Sequence, residues 1–326
     1  MPNLETTYMG LNLKNPLLVA SSGLTKSVEK IIACEKAGVG AVVLKSLFEE
    51  VLSEDQWKMK LDDSSHPEMF DYLRSELRFQ YGIDDYCDLI HKAKKEVEIP
   101  IIASINCVSA KWLVKFAKRI ESAGADALEL NVFTPITNEL KKSADIENNY
   151  YKMLESVKQS ISIPVSMKIG MYFTALPEFA SQLEYRGLNA LVMFNRFTEP
   201  DIDIEKVDLS TTFTFSSKED INRLLRWVAI IAGSSRVDIA ATTGVHSFEG
   251  VIKLLLAGAS TVQLASVLYN HGFGKVEEII NDMHNWMFKH NFESIDQFKG
   301  ILSFKEAENA ELYLRTQFME KVRGIE

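Results

Sequence analysis

Cysteine is scarce in this chain, with three among 326 residues: Cys34, Cys87 and Cys107. They are too few and too widely spaced for a disulfide framework, and no Cys-x-x-Cys pair offers a metal site. The six histidines show no His-Glu-x-x-His spacing either. We therefore predict no metal site and a protein that works in a reducing compartment.

Long apolar runs and excess basic charge are also missing. No uninterrupted apolar segment approaches the ~18 residues of a membrane span, and residues 1–8 lack the basic and apolar regions of a signal peptide. The chain has 36 basic against 45 acidic residues, a net charge of −9. Because this balance offers no surface for a polyanion, we expect small-molecule ligands and no nucleic-acid partner. The missing membrane span and signal peptide predict a cytoplasmic protein with no membrane contact.

Low-complexity tracts and linkers rich in proline and glycine are absent as well, which argues against a second tethered domain. Hydrophobic residues make up 46% of the chain, enough for a full core. We predict one domain that spans residues 1–326. Two polar stretches, 49–86 and 196–217, are interpreted as insertions.

One pattern is present four times: a helix end closed by glycine, followed by an apolar run that stops at a polar side chain. The four polar residues are Lys45, Asn131, Asn195 and Ser266. Glycine just past a helix adopts the left-handed conformation, and a run of four to eight apolar residues is typical of a strand buried on both faces. The recurrence predicts a parallel sheet covered by helices.

Eight apolar runs alternate with helical stretches, which predicts a (β/α)8 TIM barrel with loop insertions at its C-terminal face. The predicted strands are 16–21, 41–45, 101–106, 127–131, 165–170, 191–195, 237–244 and 261–265. An open, doubly wound sheet is the alternative. It lacks its main support, because no Gly-x-Gly-x-x-Gly follows any predicted strand.

Polar residues at the C-terminal ends of barrel strands point into the active-site mouth. Lys45 and Lys168 fall there, where a lysine neutralises an anionic ligand, stabilises negative charge on a cofactor or forms a Schiff base. Asn131 and Asn195 each offer a donor and an acceptor, which suits a planar heterocycle with C=O and N–H groups. Either asparagine instead ties a loop to the barrel.

A phosphate commonly binds at the loops after strands seven and eight of such barrels. Thr243 and Gly244 occupy the first of these positions, and Ala265 and Ser266 occupy the second. Small residues allow the backbone to approach a phosphate, and the two hydroxyls add donors. The alternative is that these residues only suit tight turns. His246 follows the first turn and either contacts a ligand or caps the next helix.

These residues resemble the dihydroorotate dehydrogenases of the soluble class 1 type, which are FMN-dependent TIM barrels of pyrimidine (UMP) biosynthesis. The resemblance extends from Leu11 to about Gly300. The stretches that carry it are 11–21, 44–46, 129–131, 167–168, the turns at 243–244 and 265–266, and the tail 292–300.

The resemblance implies a flavoprotein oxidoreductase that oxidises (S)-dihydroorotate to orotate by acting on a CH–CH bond. It implies a soluble electron acceptor such as fumarate, and a homodimer. The residues that would line FMN are Ser21, Lys45, Ser46, Asn131, Lys168 and Phe194, with Thr243, Gly244, Ala265 and Ser266 at its phosphate. The residues that would face the substrate are Lys45, Asn131, Asn195 and Arg196.

Several positions depart from the family pattern. The family has Cys or Ser as the base that takes the C5 proton, whereas Thr134 stands there and needs a water relay or local activation to act. Thr134 and Lys45 are the predicted catalytic residues. Ile136 replaces an Asn, Arg196 replaces a Ser, and Thr243 replaces one Gly of a pair. Each lost hydrogen-bond partner costs about 1–3 kcal/mol against a polar heterocycle.

These departures leave three alternatives open. One is a flavin oxidoreductase for a different small cyclic substrate, with Arg196 recognising another anion. A second is a lyase or aldolase that uses Lys168 or Lys45 as a Schiff-base nucleophile. The third is a flavin- or phosphate-binding protein that kept the barrel and lost the base.

Overall fold

The computed structural model describes residues 1–48, 82–106, 110–132, 138–196, 199–212 and 215–314. The strands in these residues are β1 (Thr6–Tyr8), β2 (Leu11–Leu13), β3 (Leu17–Val19), β4 (Ala41–Val43), β5 (Leu47–Phe48), β6 (Ile101–Asn106), β7 (Ala127–Asn131), β8 (Val165–Ile169), β9 (Ala190–Met193), β10 (Glu199–Asp203), β11 (Asp208–Thr212), β12 (Asp238–Thr242) and β13 (Thr261–Leu264). The helices are α1 (Val28–Lys36), α2 (Ile83–Glu96), α3 (Ala110–Ser122), α4 (Ser143–Lys158), α5 (Leu176–Tyr185), α6 (Ile221–Ser234), α7 (Phe248–Ala257), α8 (Ser266–His271) and α9 (Gly274–Lys289).

Eight parallel strands close into a barrel. Their order around it is β3, β4, β6, β7, β8, β9, β12 and β13, and each pairs in parallel with the next. The ring closes because β13 pairs with β3, with Val262 opposite Leu17. The short strand β5 pairs with the C-terminal end of β6 and extends the sheet there. The predicted TIM barrel is therefore confirmed, and the open doubly wound sheet was wrong.

The observed elements differ from the predicted ones mainly at their ends. Strand β4 ends at Val43, so Lys45 lies two residues beyond it rather than at its last position. Helix α2 begins at Ile83, inside the stretch 49–86 that was interpreted as an insertion. Asp84 and Asp85 in its first turn interact favourably with the positive end of the helix dipole.

Two antiparallel hairpins were not predicted. The pair β1–β2 lies before the first barrel strand, and β10–β11 falls within the second predicted insertion. The first hairpin plugs the barrel, since Tyr8 and Leu13 are buried in an inner cluster with Leu18 and Ala41. Strands of three residues are too short to show an alternating pattern in the sequence.

Alternation along the barrel strands sends one set of side chains outward and the other inward. On β7, Leu128 and Leu130 belong to the large core between strands and helices, whereas Ala127 belongs to the inner cluster. Glu129 and Asn131 share the inward face with Ala127. In the helices of the described residues, none is both long and apolar enough to cross a membrane.

A glutamate three residues before each of three helix-ending glycines joins neighbouring units of the barrel. The carboxylates of Glu35, Glu121 and Glu184 accept hydrogen bonds from the loops that lead into β6, β8 and β12 respectively. In the fourth repeat the equivalent residue is Leu255, whose backbone oxygen accepts from Gly300 N instead. The repeat seen in the sequence is thus a structural device that fixes the loop entering a neighbouring strand.

We expect Glu121→Ala to lower the free energy of unfolding by about 1 kcal/mol at neutral pH. The Glu121 carboxylate accepts from Ser162 N at 2.7 Å and from Ser162 Oγ at 2.6 Å. The hydrogen bond from the Ser162 side chain is the main cause that holds the pKa of Glu121 below its ordinary value of 4.5. This stability is present above the unfolded-state pKa and disappears as the pH falls through the folded-state pKa, below 4.5.

Urea unfolding at neutral and at acidic pH measures this difference. Glu98→Ala is the matched control, because the Glu98 side chain is exposed and forms no hydrogen bond within the described residues. Equal unfolding free energies for wild type and Glu121→Ala at neutral pH would rule out the stabilising role of this carboxylate.

Candidate functional site

Two lysines lie at the mouth of the barrel. Lys168 is inside β8 and only 7% exposed, and Lys45 is half-buried just beyond β4. Neither ammonium forms a hydrogen bond to another described residue. A nearly buried ammonium without a hydrogen-bond acceptor is costly unless a ligand supplies one. The mouth is therefore suited to an anionic or carbonyl-bearing ligand.

Two asparagines form a pair beside Lys168. Asn195 Nδ2 donates to Asn131 Oδ1 at 2.7 Å, and Asn131 lies opposite Lys168 in the β7–β8 ladder. The pair leaves the Asn131 amide N–H groups and the Asn195 carbonyl as further donors and acceptor. Both residues are half-buried. They thus connect two strand ends and still present polar groups of the kind that a heterocycle with C=O and N–H groups recognises.

A row of three hydroxyls runs across the ends of the first three barrel strands. Ser21 Oγ and Ser46 Oγ are 3.0 Å apart, and Ser46 Oγ is 2.8 Å from Ser104 Oγ. Tyr86 on α2 anchors the last member, since its hydroxyl donates to Ser104 O and accepts from Ser104 N. The row places Ser21 and Ser46 together, whereas Ser104 was not singled out in the sequence.

The turn after β12 has an unusual backbone. Thr243 has φ of +85°, although a β-branched residue disfavours the left-handed region, and its hydroxyl donates to Phe194 O at 3.3 Å. Gly244 has φ of +79°, and a Cβ there would lie 2.5 Å from Ile221 N. Glycine is thus required at 244 by close backbone packing, whatever ligand binds beside it. Strain at Thr243 is of the kind that concentrates at functional sites.

The turn after β13 is tied to the segment that precedes α6. Ser266 Oγ accepts from Ser216 N at 3.1 Å, and Ser216 Oγ is 3.1 Å from His246 Nε2. His246 is buried, and this burial is the main cause that lowers its pKa from the ordinary value of 6.5. His246 therefore bonds to Ser216 rather than capping α7. These contacts bring the turns after β12 and β13 into one cluster with Ser216.

The remaining predicted site residues have different positions. Phe194 is buried, Ala265 is half-buried at the end of β13, and Arg196 is exposed. Thr134 and Ile136 lie outside the described residues. The structure thus describes every predicted cofactor residue, but not the predicted base.

Besides Ser104, the inward-facing polar residues Asn106, Glu129 and Gln263 were not among the predicted site residues. Asn106 ends β6 and is half-buried. Glu129 and Gln263 are buried and joined by a hydrogen bond from Gln263 Nε2 to Glu129 Oε2 at 2.7 Å. A polar residue within an otherwise apolar strand was the signal in the sequence that could have identified them. Because side chains alternate between the two faces of a strand, Glu129 and Asn131 lie on the same face.

Comparison with known proteins gives a consistent result. A family model described as dihydroorotate dehydrogenase matches residues 66–287, which is more than half of the chain. Curated relatives match nearly end to end at modest identity. A protein of Thermoplasma acidophilum named dihydroorotate dehydrogenase B (NAD(+)), catalytic subunit, is 26% identical over 92% of this chain and 99% of its own length.

Two further relatives extend this comparison. A protein of Methanocaldococcus jannaschii with the same name is 27% identical over 91% of this chain and 97% of its own. A protein of Aeropyrum pernix, provisionally named dihydroorotate dehydrogenase A (fumarate), is 26% identical over 92% of this chain and 97% of its own. The relatives therefore include both NAD(+)-type and fumarate-type names.

Proposed function

This chain belongs to the dihydroorotate dehydrogenase family, and we propose on that premise that it is a flavin-dependent dehydrogenase that oxidises dihydroorotate to orotate in pyrimidine biosynthesis. The observation that carries the proposal is the nearly buried Lys168 ammonium. It lacks a hydrogen-bond acceptor within the described residues and lies beside the amide pair of Asn131 and Asn195. A dihydropyrimidine ring and a flavin both present C=O and N–H groups to such a site.

The cofactor that we propose is FMN, and the donor set in the mouth fits it. Lys168, Lys45, Asn131 and the Ser21–Ser46 pair would hold the ring, with Phe194 against it. The residues at its phosphate would be Thr243, Gly244, Ala265 and Ser266, where Ser266 Oγ is already held by Ser216 N. When bound, FMN supplies a hydride acceptor.

The chain's own groups would prepare the substrate for oxidation. Lys45 and Lys168 would stabilise negative charge near the substrate and the cofactor, and Asn131 and Asn195 would orient the ring. Thr134, directly or through a water, would take the C5 proton. Arg196, exposed after β9, would contact the substrate from the rim. These roles extend the proposal to individual residues.

Fumarate is the soluble acceptor that we propose, together with a cytoplasmic homodimer of one-domain chains. The NAD(+)-type names of several relatives favour a second candidate, in which NAD(+) is reduced with the help of a partner subunit. Turnover of dihydroorotate by the isolated protein with fumarate, but not with NAD(+), would favour the first candidate.

We expect the purified protein to carry a yellow flavin that loses its oxidised absorbance when dihydroorotate is added without oxygen. The reason is that hydride transfer from substrate reduces the flavin. An anaerobic titration monitored by absorbance spectroscopy measures the change. A sample without substrate, recorded under the same conditions, is the control.

Two outcomes would contradict parts of the proposal. A yellow protein that dihydroorotate does not bleach would retain the flavin and reject this substrate, and other cyclic imides and enones should then be screened. A colourless protein that takes up no added FMN, and that borohydride traps covalently with a carbonyl compound, would favour the Schiff-base lyase.

A further inference from the structure

A fully buried carboxylate lies in the barrel interior below the candidate site. Glu129 has no exposed surface, and its Oε2 accepts from Gln263 Nε2 at 2.7 Å. Its Oε1 has no hydrogen-bond partner in the described part of the chain, and neither does Gln263 Oε1. A buried carboxylate with only one such bond is costly unless a nearby positive charge compensates it.

The compensating charge is Lys168. In the ladder between β7 and β8, Glu129 is opposite Ser166 and Asn131 is opposite Lys168. Glu129 and Lys168 are therefore diagonal neighbours on the inward face of adjacent strands. Burial raises the pKa of Glu129, and the positive charge of Lys168 opposes that rise. The other titratable groups that sense this carboxylate are Tyr8 and Tyr86, whose pKa values rise chiefly through burial.

The two charges interact through space. No hydrogen bond joins Glu129 to Lys168, and Gln263 is the residue that holds the carboxylate in place. Removing the charge of Glu129 should thus change the electrostatic potential at the Lys168 ammonium without releasing that side chain. Interactions between charges are strong in such an interior because water does not screen them.

We propose that Glu129 is a positioning residue that acts through Lys168: its carboxylate offsets part of the ammonium charge and so lowers the reduction potential of the flavin bound at this mouth. This inference rests on the proposed function. A full positive charge at Lys168 favours the anionic reduced flavin, whereas a carboxylate below it weakens that preference. Glu129 would thereby keep the flavin able to pass its electrons to an acceptor.

The test compares the flavin reduction potential of the wild-type holoprotein with that of Glu129→Gln. The potential is measured against reference dyes without oxygen at about pH 8, well above the ordinary pKa of a glutamate side chain, so that ionisation of the carboxyl group is favoured. We expect the equilibrium constant for reduction of the flavin by a given dye to rise about tenfold or more in Glu129→Gln. Glu121→Gln is the matched control, since it removes a carboxylate from the end of α3 that contacts a surface loop.

The outcomes separate this inference from the proposed function. A raised potential in Glu129→Gln and an unchanged one in Glu121→Gln would support it, even if both variants lose stability. Equal potentials in Glu129→Gln and wild type would overturn it and leave the flavin proposal intact. A wild-type protein that binds no flavin would overturn both. If Glu129→Gln does not fold, Glu129→Asp replaces it, because withdrawal of the carboxylate from Lys168 should raise the potential by a smaller factor.

Discussion

Lys168→Ala should purify almost without flavin, whereas the wild-type protein carries it. The Lys168 side chain is 7% exposed, lies on the inward face of β8 and lacks a hydrogen-bond acceptor in the described residues. If Lys168 binds the cofactor as proposed, loss of its ammonium would remove a charge-assisted hydrogen bond worth about 1.5–3 kcal/mol, or roughly a 10- to 150-fold weaker affinity. We expect flavin to dissociate from the weakened site during purification, so the variant should be colourless.

The ratio of flavin to protein after purification, and the dissociation constant for added FMN, measure this effect. Lys152→Ala is the matched control, since Lys152 is exposed on α4 and is not one of the predicted site residues. The Lys168→Ala variant also leaves the Glu129 carboxylate without its compensating charge, so thermal unfolding must be recorded. A folded Lys168→Ala protein with full flavin content would remove Lys168 from the cofactor site.

Thr134→Val should strongly slow reduction of the flavin by dihydroorotate while flavin content stays unchanged. If Thr134 takes the C5 proton, its loss should slow the reductive step by about 10²- to 10⁴-fold, the usual contribution of a general base. Valine has nearly the same shape as threonine and lacks only the hydroxyl, so cofactor binding should not change. Stopped-flow absorbance of the flavin after anaerobic mixing measures the rate.

Two further substitutions at this position sharpen the test. Thr134→Ser keeps the hydroxyl and should retain the wild-type rate. Thr134→Cys introduces a group with a pKa near 8.5, far closer to neutral than that of an alcohol, and should raise the rate. Reduction of Thr134→Val as fast as wild type would exclude Thr134 as the base and direct attention to the half-buried Lys45 beyond β4.

The eight barrel strands and their order follow from local patterns, and both were predicted from the sequence, whereas the two hairpins were not. Glycine after a helix takes a conformation that most other residues avoid, as Gly38 with φ of +94° and Gly258 with φ of +116° illustrate. A short apolar run that follows such a glycine is typical of a strand buried on both faces. The predicted ends of the elements were less accurate, because the end of a strand, such as Val43 in β4, depends on where the neighbouring strands stop.

The candidate-site residues that lie at strand ends could also be predicted to lie together from the sequence. Lys168, Asn131 and Asn195 end or adjoin parallel strands, whose C-terminal ends meet at one face of a barrel. The contacts among them were not accessible, since a hydrogen bond such as that from Asn195 to Asn131 joins residues 64 positions apart. Ser216 was missed for the same reason: its place beside Ser266 and His246 depends on how an inserted segment packs.

The repeated helix-to-strand unit, the barrel and the polar residues at its mouth are encoded locally, because they depend on glycine conformation, periodicity and chain direction. The pairing of Glu129 with Gln263, the burial of Lys168 and the hydroxyl row from Ser21 to Ser104 become visible only in the folded chain. Those features arise when strands distant in sequence come within a few ångströms. Hydrogen bonds and charge interactions depend on those distances, which no single segment of the chain contains.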